Sequence, residues 1–231
     1  MFVLISQRDV PAEKGANRDA LEQDYVGYYE KYGIKLIPVS NNTKNFEKYF
    51  ELPIHGIILS GGNNVNPKLY NQEPKYKSDH SDNRDNTEKK LLDLAIQKKL
   101  PVFTECRGTQ FLNVYFRGSL IQNLKEELNT NHIAVTHKIK ITDKESSKFL
   151  GKNKTTVNSF HSQGFTEKEL SSKLKHFAIS DDKIIEGIYH PDYPIAGILW
   201  HPERDNSDKE LDEKLVKAFI NKELFWKKWK Q

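Results

Sequence analysis

The chain is poor in sulfur, with one cysteine and one methionine in 231 residues. A single cysteine rules out a disulfide within the chain, and an unpaired thiol suits a reducing compartment, so the cytoplasm is the expected location. Long apolar runs are missing as well. Nowhere do roughly 18 apolar residues follow one another, as a membrane-spanning helix requires. The opening MFVLISQRDV has too short an apolar stretch, with no basic residue before it, for a signal peptide. Nor is there an excess of one charge: 29% of residues are charged, yet the net charge is only +4, with Lys and Glu interleaved. No arginine stripe with interleaved aromatics is present, so nucleic acid and membrane are not the expected partners, whereas a small anionic molecule is compatible. Proline and glycine form no linker, and there is neither an internal repeat nor a low-complexity tract. A chain of this length buries roughly 70% of its unfolded surface, and one domain over residues 1–231 is the simplest organisation.

What is present alternates. Short apolar runs (MFVLIS, IKLIPV, HGIILSGG, PVFTE) are separated by helical patterns. The first has a stripe of Leu21, Tyr25, Tyr28, Tyr29 and Tyr32 that stops at Gly33, another spans about 85–99, and a third carries Phe111, Leu112 and Tyr115. This is βαβ rhythm, which predicts a mostly parallel sheet with helices on both faces. Beyond residue 133 the runs AVTHKIKI, KTTVNSF, KHFAIS, KIIEGIYH and IAGILWH follow with short turns, which predicts an added antiparallel region. A last helix is expected from Ser207, with Glu210 three residues on as in a capping box. Residues 71–86 are polar enough to read as a surface loop.

In such a sheet, ligands bind beyond the carboxyl ends of the strands. Three chemically suggestive clusters sit at predicted strand ends: Ser60-Gly61-Gly62, Glu105-Cys106-Arg107-Gly108 and His201-Pro202-Glu203. A lone cysteine is more often a small buried apolar residue. A cysteine at a strand-to-helix turn is different, because the helix end favours thiolate and the first amides point at whatever the sulfur attacks. Gly108 allows close approach of the chain, and the Arg107 amide is an oxyanion donor beside it. Residues two apart in an extended segment share a face, so His201 and Glu203 suit a base and its orienter. Taken alone, His-Pro-Glu is more often a turn.

Together, CRGTQ, SGGNNVNP and GILWHPER resemble the class I glutamine amidotransferase-like superfamily, and within it the free-standing γ-glutamyl hydrolases of the peptidase C26 group. NRDNTE at 83–88, LNVYFRGSLIQNL at 112–124 and VNSFHSQGF at 157–165 resemble further segments of that group, in the same order. The resemblance implies a flavodoxin-like α/β three-layer sandwich and a Cys-His-Glu hydrolase of γ-glutamyl amides that needs no cofactor and no metal. It implies Cys106 as nucleophile, His201 as base and Glu203 as its orienter. The amides of Gly62 and Arg107 would form the oxyanion hole, and Gly61, Gln110, His161, Ser162 and Gln163 would hold the glutamyl group.

Thr104 and Glu105 depart from the glycine and aliphatic residue usual in relatives. An acidic group near the sulfur would oppose its activation, so Glu105 is expected to point away and meet the ammonium group of the substrate. His132, His137 and His190 lack metal-site spacing and are expected to be structural. Phe225, Trp226 and Trp229 are expected to pack against the body or a twin subunit, which a homodimer would supply. The short chain and its ISQR opening resemble the γ-glutamyl-CDP-amidate hydrolases, with Arg8, Arg18, Lys68 and Arg84 expected on rim loops facing a pyrophosphate. γ-Glutamyl-γ-aminobutyrate and similar amines are the rival substrates. A glutaminase subunit feeding a separate synthetase, or a redox-sensing relative without activity, are readings from other classes.

Overall fold

The computed structural model describes residues 1–227. Nine strands form one sheet in the order β4-β1-β5-β6-β11-β10-β9-β7-β8. Its first half is parallel: β1 (Phe2–Ile5), β4 (Lys35–Pro38), β5 (Ile54–Leu59), β6 (Val102–Glu105) and β11 (Ile195–Ile198) run the same way. From β11 the pairing reverses through β10 (Ile185–Tyr189), β9 (Lys175–Ser180), β7 (Ile133–Ile141) and β8 (Lys154–Phe160), each antiparallel to its neighbour. Both regions match the sequence pattern. The parallel strands carry near-continuous apolar runs because they are covered on both faces.

Strand alternation sorts the core into two layers. Val3, Ile5, Ile58, Phe103 and Ile198 face a cluster with Tyr25 and Tyr29 of α1 (Gln23–Glu30) and Leu211, Leu215 and Phe219 of α6 (Lys209–Asn221). Leu4, Ile57, Leu59, Val102 and Ile195 face the opposite cluster, with Leu91 and Leu92 of α2 (Asp82–Lys98) and Phe111 and Leu112 of α3 (Arg107–Tyr115). The result is the three-layer α/β sandwich.

Local departures have local causes. The α2 helix starts at Asp82, inside the segment read as loop, because the Ser81 hydroxyl accepts from the Arg84 amide at 3.3 Å and caps it. The cap of α6 is Asp208, which accepts from Leu211 N at 3.0 Å, one residue after the expected Ser207. The hairpin of β2 (Arg8–Val10) and β3 (Arg18–Ala20) was not legible, since three-residue polar strands carry no periodicity. The short helices α4 (Leu124–Leu128) and α5 (Lys144–Leu150) also escaped the sequence pattern. Phe225 and Trp226 join the core, and Trp226 Nε1 donates to Val102 O at 2.7 Å; Trp229 lies outside the described residues. Among the described residues no helix is long and apolar enough to cross a membrane.

Candidate active site

Between β6 and α3 the chain turns on Cys106, whose φ of 48° and ψ of −109° lie where a residue with a Cβ is strained. The turn is this tight because α3 presses on β5: a Cβ on Gly108 would fall 2.2 Å from Leu59 O. Thr109 Oγ1 ties the helix down, donating to Ile198 O at 2.7 Å and lying 2.8 Å from the Thr104 hydroxyl. Thr104 thus has a structural role, holding the first turn of α3 through Thr109. The Arg107 amide belongs to the first turn of α3, which has no intrahelical acceptor for it.

The β11 strand pairs with β6, Ile198 opposite Glu105, so the segment after β11 emerges beside Cys106. Asn158 of β8 locks that segment, accepting from His201 N and donating to His201 O, both at 2.8 Å. His201 Nδ1 lies 2.7 Å from Glu203 Oε1, with both residues buried. His201 Nε2 has no well-aligned partner and is turned to Cys106. Burial would strip the imidazole of its proton, but the charge and hydrogen bond of Cys106, then Glu203, outweigh it and raise its pKa to about 10. Burial also opposes charge on Glu203, and the His201 hydrogen bond overcomes it, holding this carboxyl below its ordinary range. Gly61 completes the contact: a Cβ there would sit 2.9 Å from His201 Cε1 and 3.6 Å from Cys106 Cβ.

The glycine pair is held from behind. Arg84 Nη2 donates to Ser60 O at 2.7 Å and to Gly61 O at 2.8 Å. In a trans peptide N–H and C=O oppose each other, so fixing the Gly61 carbonyl turns the Gly62 amide away from Arg84. Gly62 has φ 125°, and a Cβ on it would meet Arg84 Nη1 at 2.5 Å and Arg8 Nε at 2.8 Å. Arg84 is therefore fully buried on α2 and not on a rim loop, so the expected pyrophosphate contact falls away. Its guanidinium pairs with Glu88 at 3.0 Å, and Glu88 with Asp85 also binds the buried Arg107 side chain. Arg8 is half-exposed beside Gly62, while Arg18 and Lys68 are exposed.

The other expected ligands hold one another. Gln110 Nε2 donates to Gln163 O at 2.8 Å, Gln163 Oε1 accepts from Val65 N at 3.0 Å, and His161 Nδ1 is 2.8 Å from Gln163 O. Gln110, His161 and Gln163 are buried, so these three side chains shape the loop; Ser162 is half-buried. Glu105 is fully buried and accepts a hydrogen bond from Tyr29, so it cannot meet a substrate's ammonium as expected. A cavity of about 840 Å³ near Phe111, Tyr115 and Tyr193 includes none of Cys106, His201 and Glu203.

His132, His137 and Glu186 bring donor atoms within 4.8 Å of one another, the one such set among the described residues with a metal-like composition. Glu186 Oε1 and Oε2, His137 Nε2 and His161 Nε2 are buried here without a well-aligned hydrogen-bond partner. Glu186 Oε1 has imidazole nitrogens of His137, His132 and His161 at 3.3, 3.4 and 3.7 Å. Burial lowers the proton affinity of His132, but hydrogen bonds to Asp182 and then Glu186 raise its pKa to about 9, which makes it the counter-ion.

The Peptidase C26 family model matches residues 4–203. The chain belongs to the peptidase C26 family. It is 30% identical over 189 residues to the γ-glutamyl-γ-aminobutyrate hydrolase of Escherichia coli O157:H7, covering 72% of this chain and 71% of that protein. It is 28% identical over 208 residues to the γ-glutamyl-CDP-amidate hydrolase of Campylobacter jejuni, covering 89% and 92%. In fold it is similar to the glutaminase domain of Trypanosoma brucei CTPS with bound acivicin, with a TM-score of 0.64 at 12% identity, covering 100% of this chain and 98% of that one. The peptidase C26 protein is thus a glutamine amidotransferase-like hydrolase by family. Sequence reasoning assigned no role to Asn158, Asp85 or Glu88, although all three stand in segments that resemble the family, 157–165 and 83–88.

Proposed function

We propose that this protein hydrolyses a γ-glutamyl amide through a thioester on Cys106. The observation that carries the reading is the His201 imidazole, held at 2.7 Å by Glu203 on one nitrogen and turned to Cys106 with the other, at the N-terminus of α3. Sulfur attacks the γ-carbonyl and the C=O π electrons move to oxygen, where the Gly62 and Arg107 amides meet the charge. Collapse breaks the C–N bond, and imidazolium hands its proton to the leaving nitrogen. Water, deprotonated by the same imidazole, then cleaves the thioester and releases glutamate. Glu203 keeps Nδ1 protonated and so aims Nε2 at the reacting atoms.

For the leaving group we favour a nucleotide amidate of the γ-glutamyl-CDP-amidate kind. Two features support it: the Campylobacter jejuni relative aligns over most of both chains, and the half-exposed Arg8, 3.6 Å from Glu22 and beside Gly62, is a guanidinium that a phosphate can draw from that surface pair. The whole chain acts as one catalytic domain in this reading. The test is glutamate release from a panel of γ-glutamyl amides, a nucleotide amidate and γ-glutamyl-γ-aminobutyrate included, with wild type and Cys106→Ala side by side. Undiminished release by Cys106→Ala refutes the mechanism, and preference for γ-glutamyl-γ-aminobutyrate over the nucleotide amidate refutes the leaving group.

A further inference from the structure

The mechanism above leaves unused the buried acid next to the nucleophile. Glu105 ends β6, directly before Cys106, and none of it is exposed. Its Oε1 accepts from the Tyr29 hydroxyl of α1. Its Oε2 has no N–H or hydroxyl donor, and neither has Glu203 Oε2, although the two carboxyls lie within hydrogen-bond reach of each other. Two buried carboxyls within hydrogen-bond reach of each other, each with an oxygen that no protein donor meets, are satisfied together by one proton.

The surroundings decide which carboxyl carries it. Glu203 has an imidazole N–H at 2.7 Å, which favours its charged form. Around Glu105 stand the phenols of Tyr25, Tyr28 and Tyr29 from α1, the carboxylate of Glu203, and more distantly His201. None of these is a cation in direct contact. Burial and then the Glu203 charge hold the Glu105 carboxyl in its acid form, well above the ordinary range.

We propose that Glu105 is a positioning residue: a neutral carboxylic acid whose O–H donates to Glu203 and so fixes the carboxylate that orients His201. The line of hydrogen bonds runs from Tyr29 through Glu105 and Glu203 to His201 and Cys106, and its catalytic value rests on the reading of the site given above. Holding one proton here keeps a single negative charge behind the imidazole. A second would bind the His201 proton more tightly and make it a poorer acid towards the leaving nitrogen.

Glutamine is the isostere of the neutral acid, since its carbonyl accepts from Tyr29 and its NH₂ donates to Glu203. Leucine keeps the volume and loses the donor. Glu105→Leu should lose roughly ten- to hundredfold in kcat with KM little changed, the scale of one hydrogen bond to a charged group. Glu105→Gln should recover most of that loss and the wild-type pH profile. Equal kcat losses in both variants would overturn the proposal, as would a raised KM with intact kcat in Glu105→Gln, which marks an ionised carboxylate binding substrate. Lowered stability with kcat per folded molecule intact in both would mark a purely structural role and also overturn it. A readout that needs no turnover separates this idea from the hydrolase reading. The infrared difference between wild type and Glu105→Gln should contain the C=O band of a protonated carboxyl. If no γ-glutamyl amide is cleaved the function fails while that band still stands; if the band is absent the proposal fails whatever the activity.

Discussion

Glu88 is the residue on which two buried cations depend. It lies one helical turn after Arg84 on α2, and all three side chains of the Arg84, Glu88 and Arg107 group are essentially unexposed. Glu88 Oε1 accepts from Arg84 Nε at 3.0 Å and Oε2 from Arg107, whose other Nη is held by Asp85. The group is under electrostatic load already. Burial, then the charge of Arg84, lowers the proton affinity of Arg107 to a pKa of about 9. Glu88→Ala leaves Arg84 with backbone carbonyls but no paired carboxylate, and Arg107 with Asp85 alone as its ion-pair partner. Removing one partner of a buried ion pair costs about 3–5 kcal/mol, against a total stability of about 5–15 kcal/mol for a domain. The variant should therefore sit near the edge of folding. Urea unfolding followed by tryptophan fluorescence and far-UV circular dichroism measures the loss; Glu88→Gln, which keeps a carbonyl acceptor, should lose about half as much. Because Arg84 also holds the Ser60 and Gly61 carbonyls, Glu88→Gln should lower kcat as well as stability. A cost below about 1 kcal/mol for Glu88→Ala would show that water or Asp85 already neutralises these cations.

Other consequences are equally direct. Gly108→Ala drives a Cβ into the Leu59 backbone, where nothing flexible can yield, and should cost about 3 kcal/mol or more in urea unfolding. An unchanged midpoint would mean that α3 can lift from β5. Gly61→Ala presses on the His201 ring from a position of ordinary backbone, so kcat should fall roughly a hundredfold with the unfolding midpoint within about 1 kcal/mol; full activity would show the ring free to move. The folded pKa of His201, about 10, exceeds its ordinary 6.5, so the fold binds its proton more tightly than the open chain. The stability this supplies is complete below pH 6.5 and is lost as pH rises through about 10. His132, raised from 6.5 to about 9, acts in the same sense. Unfolding free energy measured from pH 6 to 9, below the range where Arg107 loses its proton in the fold, should decline, and less steeply in His132→Asn; a flat or rising curve there would contradict both assignments.

Alternation of apolar runs was enough to place the parallel strands, the antiparallel region and the apolar stripes of α1, α3 and α6, because each follows from a period within a single element. The segments around Cys106, Gly61 and His201 could be singled out because they fall together at predicted strand ends, although each alone is more often structural. Short polar elements such as the β2–β3 hairpin left no period to read. The side chains of Glu105 and Arg84 went astray for another reason: a charged residue in a polar stretch looks solvated until another element covers it. Arg84 is covered by the Ser60-Gly61 loop and Glu105 by α1, and no local pattern in residues 82–88 or 101–106 encodes either neighbour.

Taken alone, then, the order of residues determined which faces of each strand and helix must be buried, and which residue types could do chemistry at the sheet's carboxyl edge. The pairing of β11 with β6 brought His201 beside Cys106, and the packing of α1 and α2 decided which ionisable side chains are buried: Glu105, Arg84 and Arg107. Burial and partner distance govern a group's charge, and both are properties of elements brought together across the chain.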